Sequence, residues 1–511
     1  MEKSEQRGPD GGAGRGLVFI TGAKLWFMVA AYVIQFALPR VLGQAKFGVW
    51  TLVSAFINPI NNVMVTATIQ NVSKFCSVAP ERVGAITRAA LRMQLLLGGL
   101  LTVLFVLVGA PLIAFIEHDN ALQTPLRVAG GIIVAYSLYA AFVGVANGTR
   151  SFHKQALLDS SFSTLRCILV VGLGIVFGSA TGSVAGFLLA ALLILVVASQ
   201  VVGFGTVVSA ESPFPKSELW QFFAGVAGYL LIVNLLMFVD DMLLKRLVQE
   251  AAMAAHAADP KDLADRAVGA YGAVQNIARI PFQLIMAATF VIFPLVSKST
   301  FDADTERTKR YVAATMRYSL LVSMGMATVF GARPMAIMRF FYKAEYAVSW
   351  PVVILLGGYV CYALFTIAGT IINAAGRTRA ATQIGLATIS VCVLGTYGAI
   401  KWALLDGGLS GPRVLAAAAT GTSTAMLVGL LLAGAYLRKH FGAFIPLLSV
   451  GRVALSTAAG LAVGHFWPEQ GLLGSKLIGT AISSLCVGVV FVFVAVISGE
   501  LRIGELKKLR S

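Results

Sequence analysis

Fourteen long apolar runs follow one another along the chain, at 17–38, 47–70, 93–116, 126–147, 157–179, 182–204, 219–244, 268–294, 311–332, 349–374, 380–404, 413–437, 447–467 and 475–498. A helix needs about 20 apolar residues to cross a bilayer core of ~30 Å, and each run has that length. In hydrocarbon every backbone N–H and C=O must be paired internally, so runs this long read as helices. The expected fold is an all-α polytopic membrane protein of about 14 transmembrane helices. Composition agrees: 58% of the residues are hydrophobic and 12% charged, with a mean hydropathy of +0.82. Soluble domains carry roughly 45–50% and about 25%. Too few charges are present to cover a soluble surface, which excludes a secreted enzyme, a cytosolic enzyme and a disordered chain.

The net charge of +17 would suggest nucleic acid in a soluble protein. Here the basic residues sit mainly in short loops between runs, so membrane topology accounts for them and no nucleic acid is expected. An even number of spans puts both termini on one side. That side holds 24 of the 40 Lys and Arg, the opposite side 13, and Arg166, Arg279 and Arg452 fall within spans. By the positive-inside rule both termini are cytoplasmic. Met1 to Arg15 is polar and Gly-rich, and the run that follows is too long for a signal-peptide core. The five cysteines form no CxxC, and four lie in apolar runs, so they read as small core residues with no disulfide or metal role.

The segment Ser209–Lys216 (SAESPFPK) marks a break after six spans. The expected organisation is a cytoplasmic tail at 1–16, an N-lobe of six spans at 17–208, a linker at 209–218, a C-lobe of six spans at 219–437, two further spans within 438–498 and a basic cytoplasmic tail at 499–511. Paired lobes of this kind are common in secondary transporters. The tail is a candidate contact for anionic lipid or a glycosyltransferase partner, although a topology anchor is the simpler reading. The Ala-rich stretch Val248–Val268 reads as a longer outer loop carrying a short amphipathic helix.

Ionisable residues within spans are costly and mark function by default. Arg279 lies 11 residues into its run, about 17 Å along a helix, near the midplane, with Pro281 set to kink the helix beside it. A midplane cation at a kink suits an anionic headgroup; a structural ion pair is the competing reading. Lys24 and Arg166 lie nearer the cytoplasmic ends of their spans, where they complete a cationic chamber or snorkel to the interface. Asp240 and Asp241 follow Asn234 near the outer end of span seven. Asp240 is a candidate for pairing with a cavity cation or for H⁺ or Na⁺ coupling, with Asn234 beside it. Asp241 has Lys245 as a partner four residues on. Asn58, Asn61 and Asn62 on span two need partners, and they line a wet cavity or meet another polar helix. The sequence shows no HExxH, GxSxG, nucleotide-binding loop or metal-ligand cluster, so no metal and no cofactor are expected. Any pumping draws on an ion gradient, the membrane potential or consumption of the substrate.

Three stretches resemble a known family. Leu42, Gly43, Phe47 and Gly48 are similar to the LGxxxFG turn of oligosaccharide flippases. Val268 to Pro281 (VGAYGAVQNIARIP), followed by Phe293 and Pro294 and a basic loop, resembles their eighth span. Asn373 to Arg379 (NAAGRTR) resembles the loop after their tenth. The family is the Wzx-like polysaccharide-biosynthesis branch of the multidrug/oligosaccharidyl-lipid/polysaccharide (MOP) exporter superfamily. The resemblance implies a flippase, not an enzyme, that moves undecaprenyl-pyrophosphate-linked oligosaccharide across the bacterial inner membrane by alternating access, with glycosyltransferases or a polymerase of the same pathway as partners. It also implies substrate-binding cations at Arg279 and, with lysine in place of arginine, at Lys24. The loop at 248–268 departs from the family's short connection. A cation-coupled multidrug exporter of the same superfamily would need cavity carboxylates, whereas the midplane residue here is an arginine and span one has no acid. A membrane-embedded glycosyltransferase or polymerase would need sizeable catalytic outer loops.

Overall fold

The computed structural model describes residues 10–204, 216–283, 285, 305–405, 408–409, 411–468 and 476–501. Expectations placed on the linker at 209–215, on Phe293 and Pro294, on Lys298 and on the tail from Arg502 lie outside the described residues. Among the described residues there are helices and turns and no strand. The chain divides into two compact units, Met1–Asn234 and Leu235–Ser511.

The first unit holds α1 (Asp10–Leu42), α2 (Gln44–Val78), α3 (Val83–Leu104), α4 (Ala110–Ile116), α5 (Gln123–Gly148), α6 (Phe152–Phe177), α7 (Ala180–Val202) and α8 (Lys216–Leu235). A π-helical turn at Phe105–Gly109 joins α3 and α4 into one span just before Pro111, which has no N–H to continue an α-helical ladder. Within this unit α2 packs on α5, α5 on α3 and α7, and α6 on α1 and α7. The apolar pattern alone groups α8 with the second lobe; the contacts group it with the first unit.

The second unit holds α9 (Val239–Ala254), α10 (Pro260–Ala278), α11 (Thr305–Gly331), α12 (Pro334–Phe341), α13 (Trp350–Ala374), α14 (Thr378–Leu404), α15 (Pro412–Phe441), α16 (Leu447–His465) and α17 (Lys476–Ile497). Here α15 packs on α13 and α14, α10 on α9, and α11 on α13, α16 and α17.

Thirteen helices among the described residues are long and apolar enough to cross a membrane, which makes the chain a multi-pass membrane protein. They coincide with every expected span except the eighth, 268–294, whose second half lies mostly outside the described residues. Large apolar side chains point outward, as along α3 at Leu95, Leu96, Leu100 and Val103 and in the π-helical turn at Leu107. Such a stripe is unstable in water and expected in lipid.

Two of the family-like stretches are helix-ending turns. Gly43 has φ +74° between α1 and α2, its N–H bonded to the Pro39 carbonyl, while Phe47 four residues on is fully buried. Gly376 has φ +76° after α13. Both positions require a conformation that only glycine adopts without cost.

The stretch 248–268 is not the long loop expected. α9 continues to Ala254 and α10 begins at Pro260, so only residues 255–259 connect them. Alanine is the strongest helix former, and Asp259 caps α10 by accepting from the Asp262 N–H at 2.9 Å. The mixed charges lower the local hydropathy without interrupting the helices.

Candidate functional site

Span seven is two helices. α8 stops at Leu235, residues 236–238 form a turn, and α9 starts at Val239. The turn takes the Met237 carbonyl out of the helical ladder, and in hydrocarbon it needs another donor. Arg279 supplies one: its Nη2 donates to Met237 O at 2.5 Å. α10 ends just before Arg279, because Pro281 cannot donate to the carbonyl of Ile277. The guanidinium is then fixed on two further sides. Nε donates to the Tyr359 hydroxyl at 2.7 Å, Nη2 also donates to Gln275 Oε1 at 3.0 Å, and the ring of Phe238 lies 4.8 Å from Cζ.

The two acids open α9, where the N-terminal dipole favours negative charge. Both are buried, but their surroundings differ. Asp240 accepts from Tyr271 Oη at 2.8 Å, Gln275 Nε2 at 3.1 Å and Thr422 Oγ1 at 3.0 Å. Gln275 therefore bridges Asp240 and Arg279. Asp241 lies within electrostatic reach of Gln275 and Arg279, yet neither of its carboxylate oxygens has a hydrogen bond of normal geometry among the described residues. Lys245 is not its partner. The Lys245 ammonium crosses to Asp265 on the antiparallel α10, at 2.6 Å, and both groups are buried. The i,i+4 spacing brought Lys245 near Asp241, but the facing helix offers a closer carboxylate.

In the first unit, Lys24 pairs with Asp159 of α6 at 2.8 Å and remains 46% exposed. Arg166, two turns further along α6, stacks on Phe187 at 4.2 Å, and its Nε has no acceptor among the described residues. Tyr136 lies within electrostatic reach of both Asp159 and Arg166 and packs on Phe162 at 4.9 Å. On α2, Asn58 is half-buried beside Pro59. Asn61 is buried with both amide atoms unpaired among the described residues. Asn62 is exposed and donates to Asn234 Oδ1 at 2.9 Å. Asn234 donates in turn to Leu230 O at 2.8 Å, so it belongs to the first unit's amide pair and not to Asp240.

The structure thus splits the expected cation set: Lys24 and Arg166 share one unit, and Arg279 lies in the other. Asp159 was missed because it stands near a span end, where acids are usually solvated. Tyr359 and Thr422 carried no sequence signal. Gln275 did: it stands four residues before Arg279, one turn along the same helical face.

A family profile described as polysaccharide biosynthesis protein matches residues 13–300. The search of curated proteins returns no match. Among solved structures, the lipid II flippase MurJ in an inward closed conformation is similar with a TM-score of 0.65 and 14% identity, over 92% of this chain and 98% of that one. A MOP superfamily transporter from Pyrococcus furiosus gives 0.59 and 12%, over 84% and 95%. A eukaryotic MATE transporter gives 0.57 and 15%, over 93% and 98%. At these identities the likeness is one of fold.

Proposed function

The chain belongs to the polysaccharide biosynthesis protein family, and from that premise we propose that it is a flippase carrying undecaprenyl-pyrophosphate-linked oligosaccharide across the bacterial cytoplasmic membrane by alternating access. The observation that carries this reading is the cationic cluster of the first unit: Lys24 is half-exposed although paired, and Arg166 has donor capacity to spare. A pyrophosphate–sugar headgroup cannot cross hydrocarbon unaided, because burying unpaired charge is prohibitive. Cations within spans replace its hydration, and arginine grips phosphate with a planar fork. The prenyl tail stays in lipid while the site is exposed to one side and then the other. With both termini cytoplasmic, loading occurs from the side where glycosyltransferases assemble the oligosaccharide, and a polymerase would take the product on the far side. This is transport and not catalysis.

Asp240 and Asp241 serve the cycle differently. One guanidinium accompanies two buried carboxylates, which leaves room for a proton or Na⁺ to balance the second. In this reading the second unit takes the coupling ion and the first takes the substrate. The same surplus of carboxylate favours the second reading, a cation-coupled multidrug exporter.

The test is reconstitution in liposomes with a fluorescent undecaprenyl-pyrophosphate-linked oligosaccharide. Wild type is expected to transport it, and the Lys24→Ala/Arg166→Ala double variant to lose most of that transport while folding normally. Transport by the double variant at the wild-type rate overturns the site. Failure of wild type on this substrate, with gradient-driven dye extrusion in its place, selects the exporter reading.

A further inference from the structure

A groove of about 1080 Å³ lies wholly within the second unit. It runs between α11, α13, α15 and the turn into α16, and none of the candidate site residues lines it. Its wall is hydrocarbon: Leu320 and Met324 from α11, Leu364 from α13, Leu427 and Leu431 from α15. Two of the hydroxyls in the wall are spent on backbone carbonyls. Ser423 donates to Ile354 O at 3.0 Å, and Thr420 donates to Ala416 O at 2.8 Å. Leu427 and Leu431 are exposed, so the groove opens sideways toward the bilayer interior, a poor place for a water-soluble ligand.

One end of the groove has the opposite character. Lys309 and Arg438 line it there, and the Lys309 methylenes lie beside Gly442, the turn that ends α15. Arg310 and Lys439 stand next to them in sequence. Arg377 reaches the same end of α15, donating to the Tyr436 hydroxyl at 3.3 Å. The acid paired with Lys309 is Glu306, at 3.7 Å with both side chains exposed, an arrangement too weak to neutralise the cluster. A basic mouth on an apolar groove that opens to hydrocarbon complements a phosphate headgroup with acyl chains attached.

We propose that this groove binds an anionic glycerophospholipid of the bilayer, with its phosphate on Lys309 and Arg438 and its acyl chains along the leucine wall. The helix end alone would attract cations toward its carbonyls, but it would not provide the apolar channel continuous with them. Gly357 offers a clean probe. It lines the groove and is exposed, and a Cβ built there meets no atom within 4 Å, so a substitution starts into open space. Leucine also favours a helix more than glycine does.

The experiment is native mass spectrometry of the full chain, titrated with phosphatidylglycerol and with phosphatidylcholine of the same acyl chains. Wild type is expected to bind the first phosphatidylglycerol about tenfold more tightly than phosphatidylcholine. Lys309→Gln and Arg438→Gln, both at exposed positions, should each erode that preference and together abolish it. Gly357→Leu should weaken both lipids about tenfold while leaving the melting temperature unchanged or raised. Unaltered phosphatidylglycerol binding in Gly357→Leu, or a preference that survives the double glutamine variant, overturns the proposal. So does a prenyl-pyrophosphate lipid as the species that co-purifies with wild type and is lost in Gly357→Leu, because the groove would then hold the cargo's tail.

Discussion

In the first unit's cluster two span cations, Lys24 and Arg166, stand with one acid, Asp159; at the helix break of the second unit one cation, Arg279, stands with two acids, Asp240 and Asp241. The polarity is reversed, and so is the degree of satisfaction. Arg279 is fastened to a backbone carbonyl, a tyrosine and a glutamine, and Asp240 takes three donors. Lys24 has one partner and stays half-exposed, and Arg166 leans on a ring with a donor unspent. Residues spent on each other hold a fold; residues with capacity left over are free to meet a ligand. The midplane arginine that stands out in the sequence is therefore the better satisfied of the two kinds.

The sharpest test of this contrast is Asp240→Ala. It strands three buried donors and removes a charge close to Arg279, so the folded state should lose about 3–5 kcal/mol. Thermal unfolding in detergent reads it, and a melting temperature equal to wild type would refute the packed, satisfied picture of the second unit. Arg279→Lys is the next step down. The charge is kept but the fork is lost, and one ammonium cannot serve Met237 O, Gln275 and Tyr359 in the same geometry. A loss of about 1–3 kcal/mol is expected, the cost of buried partners left unpaired. Equal stability of the lysine variant would mean that Arg279 acts as a charge alone.

The first unit should answer in the other currency. Lys24→Ala breaks an ion pair whose lysine is half-exposed but whose carboxylate, Asp159, is buried, so stability should fall by about 1–3 kcal/mol. Transport of lipid-linked oligosaccharide should also fall about tenfold, corresponding to one lost charge-assisted contact of ~1.4 kcal/mol. Asp159→Asn should move the other way, strengthening binding of a pyrophosphate headgroup because the cluster becomes more positive. If both substitutions weaken binding, the pair acts as a unit and the excess-cation argument fails.

Much of this was legible because a membrane demands long apolar runs, and the spans appear where those runs lie. What stayed hidden has physical reasons. The break at residues 236–238 sits in Leu235, Leu236, Met237, Phe238 and Val239, a stretch with no proline or glycine to announce it. Only the acids that open α9 betray it, since carboxylates belong at a helix N-terminus. The helices on either side of residues 255–259 were masked by their charges, which lower hydropathy but not helix propensity. The partners of Asp240 come from α10 and α15, and no local pattern links segments so far apart.

The smallest effect expected is also the most discriminating for span two. Asn61 and Asn62 are neighbours with opposite fates: Asn62 is exposed and bonded to Asn234, whereas Asn61 is buried with neither amide atom paired among the described residues. A buried amide without partners costs about 1–3 kcal/mol, so replacing it by an apolar side chain of similar size should not destabilise the protein. Asn61→Leu is expected to leave the melting temperature unchanged or to raise it. On the flippase reading proposed above, an amide kept at such a cost would serve another stage of the cycle, when sugar hydroxyls need partners in place of water. Transport should accordingly drop severalfold in the same variant, less than for Lys24→Ala because a neutral hydrogen bond is weaker than a charged one. Stability gained with transport lost would place Asn61 on the substrate path. Stability lost would show that the amide finds a partner in the folded protein after all, and would remove it from the site.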